Sequence, residues 1–149
     1  MSFLERFFGN DKSVPDDSVE ALCQYIKKWG TSKSSEEKVP QALRALGNFP
    51  SSEEALEFLL VWGGSGSVSY SPSIEAAIEG LGLMGHSRAI ECLVKISTGG
   101  SLSSSEKACE VLRHPRNREG VSILLDIALT HDWPAYVKAA LSALKHIGT

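Results

Sequence analysis

The stretch Val137-Lys-Ala-Ala140-Leu141-Ser-Ala-Leu144-Lys-His-Ile147-Gly148 decides the reading of this chain, because the chain writes it twice. Its counterpart is Ile74-Glu-Ala-Ala77-Ile78-Glu-Gly-Leu81-Gly-Leu-Met84-Gly85, and 137 − 74, 140 − 77, 144 − 81 and 148 − 85 all equal 63. In both copies the apolar residues recur at the spacing of one face of an α-helix. Fainter echoes stand between and before them, as Ala108, Cys109, Leu112 and as Val39, Ala42, Leu43, Leu46. Measured on the last Leu of each, 46→81→112→144, the steps are 35, 31 and 32 residues.

A second set of apolar runs leads each of these helices and keeps the same period. Ala21-Leu22 with Tyr25-Ile26, Ala55-Leu56 with Leu59-Leu60, Ala89-Ile90 with Leu93-Val94, and Gly120-Val121 with Leu124-Leu125 are separated by 34, 34 and 31 residues. Two independent registers with one period predict about four stacked units, each a leading and a trailing helix. The small residue at Ala42, Ala77, Ala108 and Ala140 lets neighbouring helices approach closely. No segment alternates as a half-buried strand does, so the expected class is all-α.

Punctuation places the ends. Ser34 with Glu37, Ser51 with Glu54 and Ser103 with Glu106 have capping-box spacing. Pro40, Pro72 and Pro134 suit first turns, where a missing N–H costs nothing. Gly30, Gly63-Gly64, Gly85, Gly99-Gly100 and Gly148 suit helix ends, and Pro115 stops the third trailing helix. The expected helices are 17–29, 36–47, 52–62, 73–84, 87–98, 104–113, 117–130 and 135–147.

At this point the residues resemble a known family. A helix reading Val-(Lys/Arg)-x-Ala-(Ala)-Leu-x-x-Leu-x-x-Ile-Gly every 31 to 35 residues is similar to HEAT repeats, and most of all to the short HEAT-like repeat of bilin lyases. Lys138 holds the basic position and Gly148 the terminal one, whereas Glu75 and the Arg113-His114-Pro115 ending depart from the pattern. The resemblance covers about residues 17–149 and implies a right-handed superhelix of antiparallel pairs with the trailing helices lining a concave face. It implies binding more than chemistry, because its motif is made of packing residues.

If the trailing helices form one face, the residues between the packing letters form rows across it. One row is Pro40, Glu75, Glu106, Lys138; the next is Arg44, Glu79, Glu110, Ser142; a third is Asn48, Leu83, His114, His146. Glu75, Glu79, Glu106 and Glu110 would stand together, flanked by Arg44 and Lys138, as a patch for a basic protein or peptide segment or simply as a solvated helical face. Carboxylates on an open face have little reason to shift toward acid–base work. His114 and His146 share a row that no Cys or carboxylate completes as a metal site, and Cys109 occupies a core position. The glycine- and serine-rich stretches 63–72 and 99–105 lack the Gly-Lys-Ser/Thr of a phosphate loop. Arg113, His114, Arg116 and Arg118 make a short basic cluster at one turn, readable as a phosphate-binding spot or a solvated turn.

Composition bounds the rest. The chain has 149 residues, net charge −3 and 42% hydrophobic content, which fits one soluble domain without the basic stripe of a nucleic-acid binder. Three cysteines without metal spacing point to a reducing, cytoplasmic setting, and the start reads neither as a signal peptide nor as a membrane span. Residues 1–16 read as an apolar cap with linker, since Phe3, Leu4, Phe7 and Phe8 form a stripe, and 17–149 as a single repeat domain. The final trailing helix has no polar cap after it, so a homodimer through that end is a possibility. The expected function is a non-enzymatic scaffold without cofactor or metal, binding a protein on the trailing-helix face. The alternative is a lyase-type chaperone or accessory subunit, carried only by the resemblance.

Overall fold

The structure is a computed structural model, which describes residues 18–29, 38–64, 71–99 and 102–148. Among them lie eight α-helices and no strand: α1 (Val19–Trp29), α2 (Lys38–Leu46), α3 (Glu53–Gly64), α4 (Ser71–Met84), α5 (Ser87–Gly99), α6 (Leu102–Leu112), α7 (Arg118–Thr130) and α8 (Pro134–Ile147), with one 3-10 turn at Pro115–Asn117. All eight expected helices exist. The apolar cap read from Phe3, Leu4, Phe7 and Phe8, the cap at Ser34 and the end at Gly30 lie outside the described residues.

The local chemistry explains most boundaries and corrects some. The Ala21 N–H donates to Ser18 Oγ at 3.1 Å and the Ala55 N–H to Ser52 Oγ at 3.1 Å, so Ser52, and not Ser51, caps α3. α6 begins at Leu102, which leaves Ser103 inside the helix; its hydroxyl turns away and donates to Glu75 Oε1 at 3.1 Å instead of capping. Gly63 and Gly64 fall within the last turn of α3, not beyond it. Gly148 closes α8 in the left-handed conformation, φ 90°, where its N–H reaches the Leu144 and Lys145 carbonyls.

The helices pack as two rows. The leading helices α1, α3, α5 and α7 contact one another in succession, and so do the trailing helices α2, α4, α6 and α8. Each trailing helix also packs on its own leading partner. The core runs between the rows, where Leu22, Tyr25, Ile26, Leu43, Leu46, Leu56, Leu59, Ile78, Leu81, Ile90, Leu93 and Leu112 are fully buried. Burying one such side chain contributes roughly 1.5–3 kcal/mol.

Small residues set how closely the trailing helices approach. A Cβ on Gly80 would come 2.9 Å from the Leu43 carbonyl oxygen, and one on Gly82 would come 2.7 Å from Val111 Cβ. Gly80 and Gly82 thus let α4 seat between α2 and α6. A Cβ on Gly120 would meet Leu112 Cδ2 at 2.5 Å, which is why glycine stands where the other leading helices carry alanine.

Three expectations about burial change. Pro40, expected on the outer face, is buried, since a ring without a polar tip in the first turn of α2 packs inward. Leu125 and Leu141 carry the core register of the last pair yet are 46% and 54% exposed, while Val94 and Cys109, one unit earlier, are 2% and 3% exposed. The difference is the neighbour: a following pair covers Val94 and Cys109, and nothing among the described residues covers Leu125 and Leu141. No helix among the described residues is long and apolar enough to cross a membrane.

Candidate functional site

The face of α2, α4, α6 and α8 centres on Glu79. Its carboxylate pairs with Arg44 on α2 through Oε2 and with Lys107 on α6 through Oε1, the latter at 2.6 Å. Lys107 also lies 3.5 Å from Glu110, one turn along its own helix. Four side chains on three successive trailing helices therefore form one ladder of alternating sign, Arg44, Glu79, Lys107, Glu110.

Burial alone would push the Glu79 carboxyl up, but hydrogen bonds from Lys107 and Arg44 outweigh it and hold the group below its ordinary value. Burial would likewise push Lys107 down, and its bond to Glu79 carries it up. Both groups are fixed in their charged forms, the opposite of what an acid–base catalyst near neutrality needs.

The uninterrupted block of four carboxylates expected from the rows is thus broken. Lys107 separates Glu79 from Glu110, and Glu75 accepts from Ser103. Glu106 stands apart, on the rim of a cavity of about 210 Å³ shared with Ser105, Cys109, Ser142 and His146. Lys138 is exposed on α8 and takes part in none of these ion pairs. Lys107 escaped the reading by rows because its equivalents are Gln41, Ala76 and Ala139, none of them charged.

The basic cluster after α6 ties units together. Arg116 Nη1 donates to the Leu83 carbonyl at 2.6 Å, Arg113 donates to the His146 carbonyl, and His114 Nδ1 accepts from the Arg116 N–H at 3.2 Å. Asn117, fully buried, donates from Nδ2 to the Gly82 carbonyl at 2.9 Å and to the Val111 carbonyl at 2.8 Å. On the leading row Arg88 bridges Glu53 at 2.9 Å and Glu57 at 2.6 Å. These ties share one arithmetic: 79 − 44, 88 − 53 and 117 − 82 are 35, 116 − 83 and 146 − 113 are 33, and 88 − 57 is 31. These six contacts span the 31 to 35 residues of the apolar period, whereas Glu79–Lys107 and Glu75–Ser103 span 28.

The cysteines are packing residues. Cys23 and Cys109 are buried and Cys92 half-buried, all as free thiols. Burial pushes the Cys23 thiol up to about 11, with Glu54 adding to the rise and Lys27 opposing it. Burial likewise raises Cys92 and Cys109, so none is the low-pKa thiolate a nucleophile requires. Among the described residues no three of His, Cys, Asp and Glu gather to hold a metal. The chain matches no protein-family model, no curated protein and no solved structure.

Proposed function

We propose that the chain is a HEAT-like α-solenoid acting as a non-enzymatic cytoplasmic scaffold, with α2, α4, α6 and α8 as the concave face that binds a protein or peptide. The observation that carries this reading is the succession of contacts along the trailing row, which makes one continuous surface from four repeated helices. Such surfaces recognise extended partners, because stacking repeats multiplies contact area without a deep pocket. The Arg44–Glu79–Lys107–Glu110 ladder gives the face its polar pattern. On α4 and α6 this face carries Glu75, Glu79, Glu106 and Glu110 against Lys107, with Arg44 reaching in from α2, an acidic centre that suits a basic segment more than nucleic acid. Three free thiols fit a reducing compartment.

Photo-crosslinking in native cells tests the face. A crosslinking amino acid at Glu106 or at Glu110 should capture the same discrete protein partner, and one at Glu57 on the leading row should not. Capture from Glu57 alone, or equally from all three, would overturn the assignment.

A further inference from the structure

The gap between α6 and α8 is not filled as the gap between α4 and α6 is. One unit earlier Lys107 of α6 reaches Glu79 of α4, and Val111 packs against Gly82. Ala139 and Ala143 hold the equivalent positions of α8, since 139 − 107 and 143 − 111 are both 32. Neither side chain is long enough to cross. What remains is the cavity of about 210 Å³, walled by α5 and α6 on one side and by α8 on the other. It lies between units, not where the described rows end. Cys109 and Ala143, both 3% exposed, form its floor, and Glu106, Ser142 and His146 its exposed rim.

The polar lining accepts hydrogen bonds and scarcely donates them. A hydroxyl that gives its proton to a carbonyl has only lone pairs left to offer. Ser97 donates to the Val94 carbonyl at 2.7 Å, Thr98 to the same carbonyl at 2.9 Å, and Ser105 to the Ile96 carbonyl at 3.3 Å. His146 Nδ1 lies 3.0 Å from the Ser142 carbonyl, which can only accept. Nδ1 therefore holds the proton, and Nε2 of the neutral ring is an acceptor. Glu106 adds a carboxylate that forms no ion pair among the described residues. The side-chain donors left among the described lining residues are the Ser142 hydroxyl and the weak Cys109 thiol.

Net charge alone selects no occupant, because the walling helices carry both signs, among them Glu106, Glu110, Lys95, Lys138 and Lys145. The hydrogen-bond inventory does select one: a group with several donors and no acceptor. A guanidinium offers N–H donors in one rigid plane and accepts nothing. None of the described residues lining the cavity is a lysine or an arginine, and Arg113 beside it is held by the His146 carbonyl. The volume is below the roughly 300–1,000 Å³ of a small-molecule site, so it suits one side chain more than a whole ligand. A second cavity of about 340 Å³ shares Thr98 and Ala139 with the first. There Trp133, 66% exposed, and Tyr136 offer aromatic surface, with Lys95 on the border. We propose that the gap between α6 and α8 receives an arginine side chain from a peptide segment of a protein partner, with the apolar residue next to that arginine lying against Trp133 and Tyr136. This rests on the reading of the trailing row as the binding face and names the side chain that the face recognises. The partner's guanidinium enters this gap as the chain's own Lys107 enters the gap before it.

The probe is a blocked tripeptide with arginine between two leucines, compared with a copy carrying neutral citrulline for the arginine. Amide NMR titration of the full chain should show saturable shifts at Cys109, Ser142 and Ala143 and at the Trp133 indole N–H. The citrulline copy should bind at least about tenfold more weakly. Glu106→Gln, at an exposed position, should weaken the arginine peptide about tenfold. Ala139→Lys places a lysine where Lys107 stands one unit earlier, and should abolish the shifts by filling the gap from within. Val61→Asp, at an exposed position on α3, should change nothing. Absent or non-saturable shifts, equal binding of the two peptides, shifts confined to other helices, or indifference to both Glu106→Gln and Ala139→Lys would overturn the proposal. Spermidine producing the same shifts more tightly than the peptide would also overturn it, by assigning the gap to a free polyamine. The wider reading is separable: capture of a partner from a crosslinker at Glu110 without arginine-specific shifts would retire the pocket and keep the face. Arginine-specific shifts without capture would support the pocket and count against the face as a scaffold.

Discussion

Lys107 Nζ lies 2.6 Å from Glu79 Oε1, across the groove between α6 and α4, while the other oxygen of the same carboxylate holds Arg44 of α2. One side chain thus ties three consecutive units. Neither cation can be removed without leaving a partly buried charge short of a partner, and that asymmetry gives the ladder its energetic weight.

Acid should weaken this tie in a defined direction. The folded Glu79 carboxyl sits below its ordinary value, so the unfolded chain takes up that proton first as pH falls. The contribution is present above the unfolded value, about 4.3, and disappears as pH falls through the lower folded value. Glu79→Gln should lower stability at pH 7 by about 1 kcal/mol and flatten the acid limb of the stability profile. Thermal melts of both proteins from pH 7 to pH 3 check this, and an acid limb of unchanged slope contradicts it.

Asn117 should matter more than a surface asparagine does. Its buried amide satisfies the Gly82 and Val111 carbonyls at once, joining α4 to the end of α6. Asn117→Ala should cost about 2 kcal/mol, and Asn117→Asp more, because it removes both donors and buries a charge. Urea unfolding measures both; a loss for Asn117→Ala no larger than that of an exposed substitution would refute the role.

Two glycines should respond oppositely to alanine. Gly82→Ala pushes a methyl to within 2.7 Å of Val111 Cβ and should destabilise by about 1–3 kcal/mol. Gly99 has open space around it at the end of α5, so Gly99→Ala should be neutral or stabilising by up to about 1 kcal/mol. Denaturation midpoints of the pair decide whether close approach of α4 and α6 is real.

The thiols should be slow to alkylate. With Cys23 raised to about 11, roughly one molecule in a thousand carries that thiolate at pH 8. Iodoacetamide labelling followed by mass spectrometry should find Cys92, the least buried, modified first, and all three modified rapidly only after unfolding. Rapid labelling of Cys23 in the folded chain would show a local opening of α1.

Much of the architecture was legible because packing letters recur. Leu43, Ile78 and Leu112 announced the trailing helices, and Leu22, Leu56 and Ile90 the leading ones, since each helix must bury one face and the same neighbour returns every unit. Helix starts were legible to within a few residues, yet Ser52 displaced Ser51 and Ser103 left its cap, because several serines compete for each start and only backbone position chooses among them. The candidate site was half legible. Rows of the repeat brought Arg44 to Glu79 and placed Glu110 beside them, but Lys107 and Asn117 sit at positions with no repeated counterpart, and a period shows only what repeats.

By itself the sequence determined that the chain is helical, where the helices lie and which residues seal them, because those follow from local periodicity and from the free energy of apolar burial. The tertiary structure decided which charges meet and which apolar residues stay uncovered. Glu79 meets Lys107 because two helices come close at Gly82, and Leu125 and Leu141 are exposed although their letters match buried ones. Exposure and ion pairing depend on what lies across the gap, and that is a property of the packed neighbours and not of the residue.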